Sequence, residues 1–323
     1  MELNRTLIKE MLELPFSIFE KEIFPKAKHS AKEGGKNKIT PVAMMGFSNI
    51  CKNRCLYCGM NAECKIERYR LSPDEVINLA KKATAQGFRR IFLISGEDSG
   101  YGFENLLKII SEIKTTGAHL SLACGEFSAE QYNEIKAAGA DEYVLKFEMS
   151  SPETFNRLNP STDFKKRMKA IENIKKSGMK LASADIVNFP GQSIEELTED
   201  IILTNELGIS WAPVVPYMPA SGTPLSKLGG RGDYFLNLKV ISILRLLMPH
   251  IDITAQQPGE NLKNGFADKE GNKLALNAGA NLLFTDIAPE KFAKNFSVID
   301  NRIVLRLRQI EEIASEVGME IKF

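Results

Sequence analysis

No stretch of the 323-residue chain approaches the roughly 18 consecutive apolar residues of a membrane-spanning helix, so a membrane partner is not expected. A charge excess is missing too. The 42 Lys and Arg face 41 Asp and Glu, whereas a dedicated nucleic-acid binder would carry a clear basic surplus. Residues 1–20 mix charged and apolar side chains and lack the apolar core of a secretory signal, which makes a cytoplasmic protein the expectation. No fixed-period repeat is visible. Cysteine is scarce, and its count of five is odd, a poor basis for a disulfide framework. What remains, 43% hydrophobic and 26% charged residues, is ordinary globular composition. It excludes a disordered, collagen-like or disulfide-dense chain. The length can bury a large core and suits either two domains or one α/β barrel.

Hydrophobic patterning favours the barrel. Residues 1–35 read as helical, punctuated by Pro15 and Pro25. The lysine-rich stretch 26–38 overlaps their end and reads as a solvated connector or as a basic contact for an anionic partner. Beyond it, β-prone runs at 41–49, 90–95, 119–124, 142–147, 180–188, 210–217, 251–256 and 281–285 alternate with helical patterns. These fall at 73–86, 103–115, 129–138, 152–158, 164–177, 194–207, 235–247, 273–278 and 302–317. Ser72 and Glu75 form a capping box at the first of these helices. Such alternation predicts α/β architecture: a (β/α)8 TIM-type barrel domain over 39–323, closed by a C-terminal helix, with 1–38 as an N-terminal helical extension and connector. An open doubly wound sheet is the alternative. In a barrel, chemistry sits past the C-terminal ends of the strands.

Just past the first predicted strand, Cys51-Lys-Asn-Arg-Cys55-Leu-Tyr-Cys58 places three thiols on one short loop. Soft thiolates at such spacing wrap a single metal centre. The number is informative. Structural zinc closes with four ligands, whereas a cubane [4Fe–4S] cluster held by three leaves one iron open to an outside ligand. Cys64 as a fourth ligand would instead make a zinc or fully ligated site, and the chain a non-catalytic metal-binding or redox-sensing protein. Otherwise Cys64 is a loop thiol. Cys124, at the end of the third strand, is either a small buried apolar residue or a thiol facing the cavity. The polar insertion 258–271 is a surface loop or a lid over the barrel mouth.

The C-x3-C-x2-C run after a strand, with the aromatic Tyr57 ahead of its last cysteine, resembles the signature of the radical S-adenosylmethionine (SAM) superfamily. The resemblance implies Cys51, Cys55 and Cys58 as metal ligands and catalytic residues, with SAM chelating the open iron. It implies one-electron cleavage of SAM to a 5′-deoxyadenosyl radical. An external one-electron reductant such as flavodoxin or ferredoxin follows, with a small-molecule substrate inside the barrel. Ser95-Gly96-Glu97-Asp98 is similar to the family's glycine–glutamate motif, which receives the SAM amino group. A glycine there lets backbone approach the ligand, and a carboxylate accepts from an ammonium. Glu148 is similar to carboxylates that contact SAM, and Arg167 to the arginine that pairs with the SAM carboxylate. The segment 186–192, with Ile186 and Phe189, is similar to the one whose backbone reads adenine. Read without the resemblance, 96–98 is a helix-entry turn, Arg167 a solvated helix charge, and Pro190-Gly191 an ordinary strand-to-helix turn.

Over residues 40–285 the chain resembles the biotin synthase-like branch of that superfamily. Ser95–Asp98, Gly125-Glu126-Phe127, Pro160–Arg167 and Phe189–Gln192 are similar to the [FeFe]-hydrogenase maturases of the branch. Pro216–Leu225 and Asn277–Asn281 are shared more widely. Hydrogenase cofactor maturation is therefore the implied activity. Amino-acid mutase chemistry of the methylornithine synthase type is an alternative, with Gln256, Gln257 and Glu260 as holders of a zwitterion. Sulfur insertion of the biotin or lipoyl synthase type needs ligands for a second cluster, and only Cys124 lies near a strand end. Cys124, Tyr217, Thr254 and Gln256 are the candidate substrate contacts.

Overall fold

The computed structural model describes residues 3–259 and 262–323. Its strands are β1 (Thr40–Ser48), β2 (Arg90–Ser95), β3 (His119–Ala123), β4 (Glu142–Val144), β5 (Lys180–Ala182), β6 (Ile186–Val187), β7 (Trp211–Ala212), β8 (Val215–Pro216), β9 (Asp252–Ile253) and β10 (Leu282–Asp286). Eight form one parallel sheet in the order β10-β1-β2-β3-β4-β5-β7-β9. A parallel bridge between Thr254 and Leu282 joins its ends. The sheet is thus a nearly closed barrel with flanking helices, the architecture that the strand–helix alternation predicts, and not an open sheet.

Because side chains alternate along a strand, each wall has two faces. Val42 and Met44 of β1, Phe92 of β2, and Leu282 and Phe284 of β10 point into the lumen, where they meet Val144, Ala182 and Trp211. Ala43, Met45, Ile91, Leu93 and Leu283 point outward into the larger core under the helices.

The predicted strands 180–188 and 210–217 each break in two. At the first break the Phe147 N–H donates to the Ser183 hydroxyl at 3.1 Å, a side-chain substitute for a ladder bond. At the second, Pro213 has no N–H to donate. Past the breaks, β6 and β8 pair in a separate two-stranded sheet. That sheet brings Ile186 and Tyr217 into an apolar cluster with Leu56 and Tyr57 of the cysteine loop.

A buried polar network fills the floor, at the N-terminal ends of the strands. Arg90 pairs with Glu142 and, at 2.7 Å, with Asp252. The hydroxyls of Ser121 and Ser210 each donate to Glu142 at 2.6 Å. Lys36 at 2.6 Å and Asn281 at 2.8 Å donate to Asp252. Removing one partner from such a buried pair costs about 3–5 kcal/mol. The network also gives part of the stretch 26–38 a structural role. The helix Phe16–Glu33 takes up most of it, Lys36 is spent on Asp252, and Lys38 pairs with Glu320 at 2.6 Å.

Pro25 does not end its helix. Phe19, Ile23, Phe24 and Ala27 are buried there, and Phe16 packs on Phe235 with ring centroids 4.4 Å apart. Burial of about 1.5–3 kcal/mol per large apolar side chain outweighs the roughly 3 kcal/mol cost of an internal proline. The capping box forms, with Ser72 N–H donating to Glu75 Oε2 at 2.8 Å and Glu75 N–H to Ser72 Oγ at 3.3 Å. The closing helix is shorter than predicted, Leu307–Val317, and an unpredicted helix spans Glu290–Asn295. Between them the chain crosses the barrel mouth. Among the described residues, no helix is long and apolar enough to cross a membrane.

Candidate active site

After β1 the chain enters the cysteine loop, and Arg68 organises it from within. Its guanidinium donates to four backbone carbonyls, those of Asn49 (2.7 Å), Met60 (2.8 Å), Asn61 (2.6 Å) and Cys64 (3.0 Å). Five fixed donors make arginine suited to this role. Neighbouring segments pin the loop from outside. Leu56 N–H donates to Leu158 O at 2.9 Å, Gly59 N–H to Val298 O at 2.9 Å, and Leu225 N–H to Leu56 O at 3.0 Å. Tyr57 lies behind the loop, its hydroxyl donating to Asn159 at 2.7 Å.

Cys51, Cys55 and Cys58 are free and half-buried. Burial pushes the Cys55 thiol up to about 12, against the pull of Arg167. Burial, and then the nearby Cys55, push Cys58 up as well. Three crowded thiols in desolvated surroundings form a soft donor set suited to a multiply charged centre, which would stabilise them as thiolates. They therefore fit an iron–sulfur cluster. Cys64 stands apart from them: its Sγ lies 4.0 Å from the Cys58 carbonyl, and, burial apart, the groups acting on its thiol are Arg68, Glu63 and Asn61, whereas Cys58 feels Cys55 and both feel Cys51. No group of three His, Cys, Asp or Glu is arranged for a single metal ion among the described residues.

A cavity of about 390 Å³ opens beside Cys51 and Cys58. Gly96 and Gly125 shape its rim. A Cβ at Gly96 would fall 2.2 Å from the Ile50 carbonyl oxygen, so only glycine lets the cysteine loop lie on the end of β2. Gly125, at φ +92°, would place a Cβ 2.3 Å from Glu97 Cγ. Glu97 in turn holds the loop. Its carboxylate pairs with Lys52 at 2.7 Å and accepts from Asn53 at 2.9 Å, while its N–H donates to Cys51 Sγ at 3.4 Å. Glu148 sits at φ +65°, a left-handed conformation that costs a non-glycine residue about 1–2 kcal/mol. There it lines the cavity, paired with Lys146 at 3.0 Å. Arg167 also lines the cavity and is buried, so it is no solvated surface charge. It pairs with Glu126 at 2.6 Å, donates to the Lys146 carbonyl, and lies 5.1 Å from the centre of the Phe155 ring.

Other expected site residues lie elsewhere. Asp98 faces away from the cavity as a structural lock. It takes a bidentate pair from Arg70 (2.6 and 2.7 Å) and a 2.7 Å bond from Ser48. Burial works to raise its pKa, but the Arg70 and Ser48 bonds prevail and hold it below the usual carboxylate range. Cys124 does not face the barrel lumen. It is buried among outward-facing core residues and lines a separate pocket of about 260 Å³ behind Glu97. Ile186, Phe189 and Tyr217 form the apolar cluster flanking the cysteine loop. Thr254 and Gln256 do line the cavity, yet both are engaged internally. Trp211 donates its indole N–H to Thr254 at 3.0 Å, and Gln256 bridges Phe266 O (3.1 Å) and Phe284 N (2.8 Å). Gln257 is fully buried against Asn237, which leaves it no part in holding a zwitterion. Glu260 and part of the 258–271 insertion lie outside the described residues. Sequence reasoning gave no role to Glu126, Lys146 or Arg302, all close to the cavity. The first two follow strands β3 and β4, where a barrel keeps its working residues.

Fold and site together define a class: a TIM-type barrel whose first strand–helix loop gathers three thiols beside a cavity at the C-terminal ends of the strands, two of them, Cys51 and Cys58, lining it. Residues 45–203 match the radical SAM superfamily. The [FeFe] hydrogenase maturase subunit HydE of Thermotoga maritima is 30% identical over 303 residues, 94% of this chain and 85% of that protein. The 3-methylornithine synthase of Methanosarcina acetivorans is 26% identical over 290 residues, 88% and 80% of the two chains. The crystal structure of methylornithine synthase (PylB) shares the fold at a TM-score of 0.87, with 23% identity, over 100% of this chain and 95% of that one. The chain belongs to the radical SAM superfamily and is a radical SAM enzyme. Membership implies SAM and a [4Fe–4S] cluster as cofactors and action on a small molecule.

Proposed function

We propose that this enzyme serves [FeFe]-hydrogenase cofactor maturation, cleaving SAM reductively to act on a small molecule in the barrel. The observation that carries this is the 30% identity to the hydrogenase maturase subunit along nearly the whole of both chains, against 26% for methylornithine synthase. The engagement of Gln256 and Gln257 within the protein weighs against a mutase-type zwitterion site. Sulfur insertion would need a second thiol set, and among the described residues Cys51 and Cys58 are the cysteines that line the cavity.

In this reading Cys51, Cys55 and Cys58 hold the cluster. When bound, it supplies the electron that splits the SAM sulfonium to give a carbon radical. Glu97 accepts from the SAM amino group while fixing the loop through Lys52 and Asn53. Gly96 keeps the backbone close to that group. Arg167, held by Glu126, receives the SAM carboxylate, and Glu148 contacts the nucleoside portion. Ile186 and Phe189 supply the apolar flank for adenine, with Tyr57 and Tyr217 packed behind. Thr254 and Gln256 stiffen the lumen wall, whose apolar surface keeps water from the radical. Residues 1–38 act as a helical brace outside the barrel domain 39–323. An external one-electron carrier, flavodoxin or ferredoxin, delivers the electron. A cytoplasmic setting, which keeps thiols reduced, suits five free cysteines.

Two measurements test this. After anaerobic reconstitution, SAM should alter the electron paramagnetic resonance spectrum of the reduced cluster, and 5′-deoxyadenosine should form. The gene should then restore hydrogenase activity to cells lacking their HydE-type maturase. SAM cleavage without restored hydrogenase, accompanied by conversion of lysine to methylornithine, would transfer the assignment to the mutase.

A further inference from the structure

The residues that cross the barrel mouth, 296–304, belong to no strand–helix loop of the barrel. Phe296, Val298, Ile299, Arg302 and Val304 line the cavity. The segment is strapped down on three sides. Val298 O accepts from Gly59 of the cysteine loop at 2.9 Å. Asp300 accepts from the Ser221 N–H at 3.0 Å and from its hydroxyl at 2.6 Å. Asn301 O fills the space a Cβ would take at Gly265, at 2.1 Å.

Arg302 carries a positive charge from this strap into the cavity, and its side chain is only 9% exposed. Nη1 donates to Asp286 at 3.0 Å and the guanidinium lies 5.0 Å from the centre of the Phe296 ring, whereas the hydrogen bond of Nη2 among the described residues goes to the Met44 thioether, at 3.5 Å. A thioether is a weak acceptor, so a buried guanidinium is left short of acceptors on its cavity side. Around it the lumen is apolar, walled by Met44, Phe92, Val144, Trp211, Phe284 and Val304. The Trp211 N–H is already spent on the Thr254 oxygen.

We propose that Arg302 is a substrate-recognition residue: it binds the carboxylate of a small amphipathic acid whose aliphatic part fills the chamber beside Trp211. This rests on the reading of the cavity as the substrate site of a radical SAM enzyme. Planar guanidinium and carboxylate match in two parallel hydrogen bonds, a geometry that lysine cannot reproduce.

Hexanoate is the probe, titrated into reconstituted enzyme with SAM bound and followed by calorimetry and by the fluorescence of Trp211, the sole tryptophan. Saturable binding with a changed Trp211 emission is expected, and hexan-1-ol should bind at least about tenfold more weakly. Arg302→Met should lose about tenfold or more for hexanoate and little for hexan-1-ol, with Arg302→Lys between the two. Should Arg302→Met not fold, Asp286→Asn replaces it. That variant keeps the guanidinium, removes its competing carboxylate, and should tighten hexanoate. Wild-type enzyme that fails to bind hexanoate, or binds it no better than the alcohol, overturns the proposal. So does an Arg302→Met variant of unchanged affinity. 5′-Deoxyadenosine is assayed in the same preparation. Cleavage without selective hexanoate binding sinks this proposal alone, and selective binding without cleavage sinks the functional reading instead.

Discussion

Replacing Gly125 by alanine asks one Cβ to disturb two things at once. The first is backbone strain. At φ +92° an L residue is disfavoured by about 1–2 kcal/mol. The second is the overlap with Glu97, whose Cγ would lie 2.3 Å from the new methyl. Glu97 must then move and loosen its Lys52 pair, a half-exposed contact worth at most about 1 kcal/mol, and its Asn53 bond, worth about 0.5–1.5 kcal/mol. Together these amount to a loss of about 2–4 kcal/mol, or roughly 3–6 °C in Tm for a chain of 323 residues. Gly178 supplies the control, with φ +80° and nothing within 4 Å of its hypothetical Cβ, so Gly178→Ala pays the strain alone. The assays are thermal unfolding and iron retained per chain after anaerobic reconstitution and desalting. Gly125→Ala should show the larger fall in Tm and should also lose iron, because Glu97 holds Cys51 and Lys52 in place. Gly178→Ala should keep its iron. If the two variants match in both measurements, Glu97 does not anchor the cysteine loop.

Arg167→Lys keeps the charge but loses the fork held by Glu126, so SAM affinity should fall by about tenfold or more at unchanged iron content, as equilibrium binding would show. Wild-type affinity would remove Arg167 from the SAM site. Glu142→Gln on the floor leaves Arg90 with Asp252 as its remaining carboxylate and should cost about 1.5–3 kcal/mol in urea unfolding, with SAM affinity intact. Burial and then the nearby Asp185 raise the Asp200 pKa. Its folded state therefore favours the protonated form. That stability is fully present below the ordinary carboxylate value and is lost as pH climbs through the raised one. Asp200→Asn should flatten this part of the pH–stability curve, and a variant that tracks wild type across it would contradict the assignment.

The barrel was legible because its signals are local and repeated. Strand runs, helix periods and the Ser72–Glu75 box each report on their own neighbourhood. Three thiols on one loop after β1 were legible for the same reason. Asp98 was misread because motif position says nothing of direction. One residue beyond Glu97, its side chain turns to Arg70 and Ser48, outside the cavity. Of the two readings of Cys124 the buried apolar one holds and the cavity-facing one does not, since a shift of one residue along a strand moves a side chain from lumen to helical layer. The partnerships of Arg68, Glu126, Lys36 and Arg302 were hidden altogether. Arg68 spends its charge on backbone carbonyls, which no sequence pattern marks, and the others are long-range pairings in which nothing in either partner's own segment announces the other.

Those hidden pairings divide the barrel by task. The groups assigned to SAM and the cluster come from the first six strands and their loops, the region matched by the superfamily over 45–203. The opposite wall, with Trp211, Thr254 and Phe284, and the strap bearing Arg302 lie beyond that region. A radical generated on the first side is directed by whatever the second side holds within reach. On the proposed assignments chemistry and selectivity reside on different parts of the chain, and the second can diverge while the first is kept. Identity concentrated in the cysteine-loop half predicts little about the substrate. The acceptor-poor guanidinium at Arg302, facing an apolar chamber, is the feature of the second half with the most specific chemical demand.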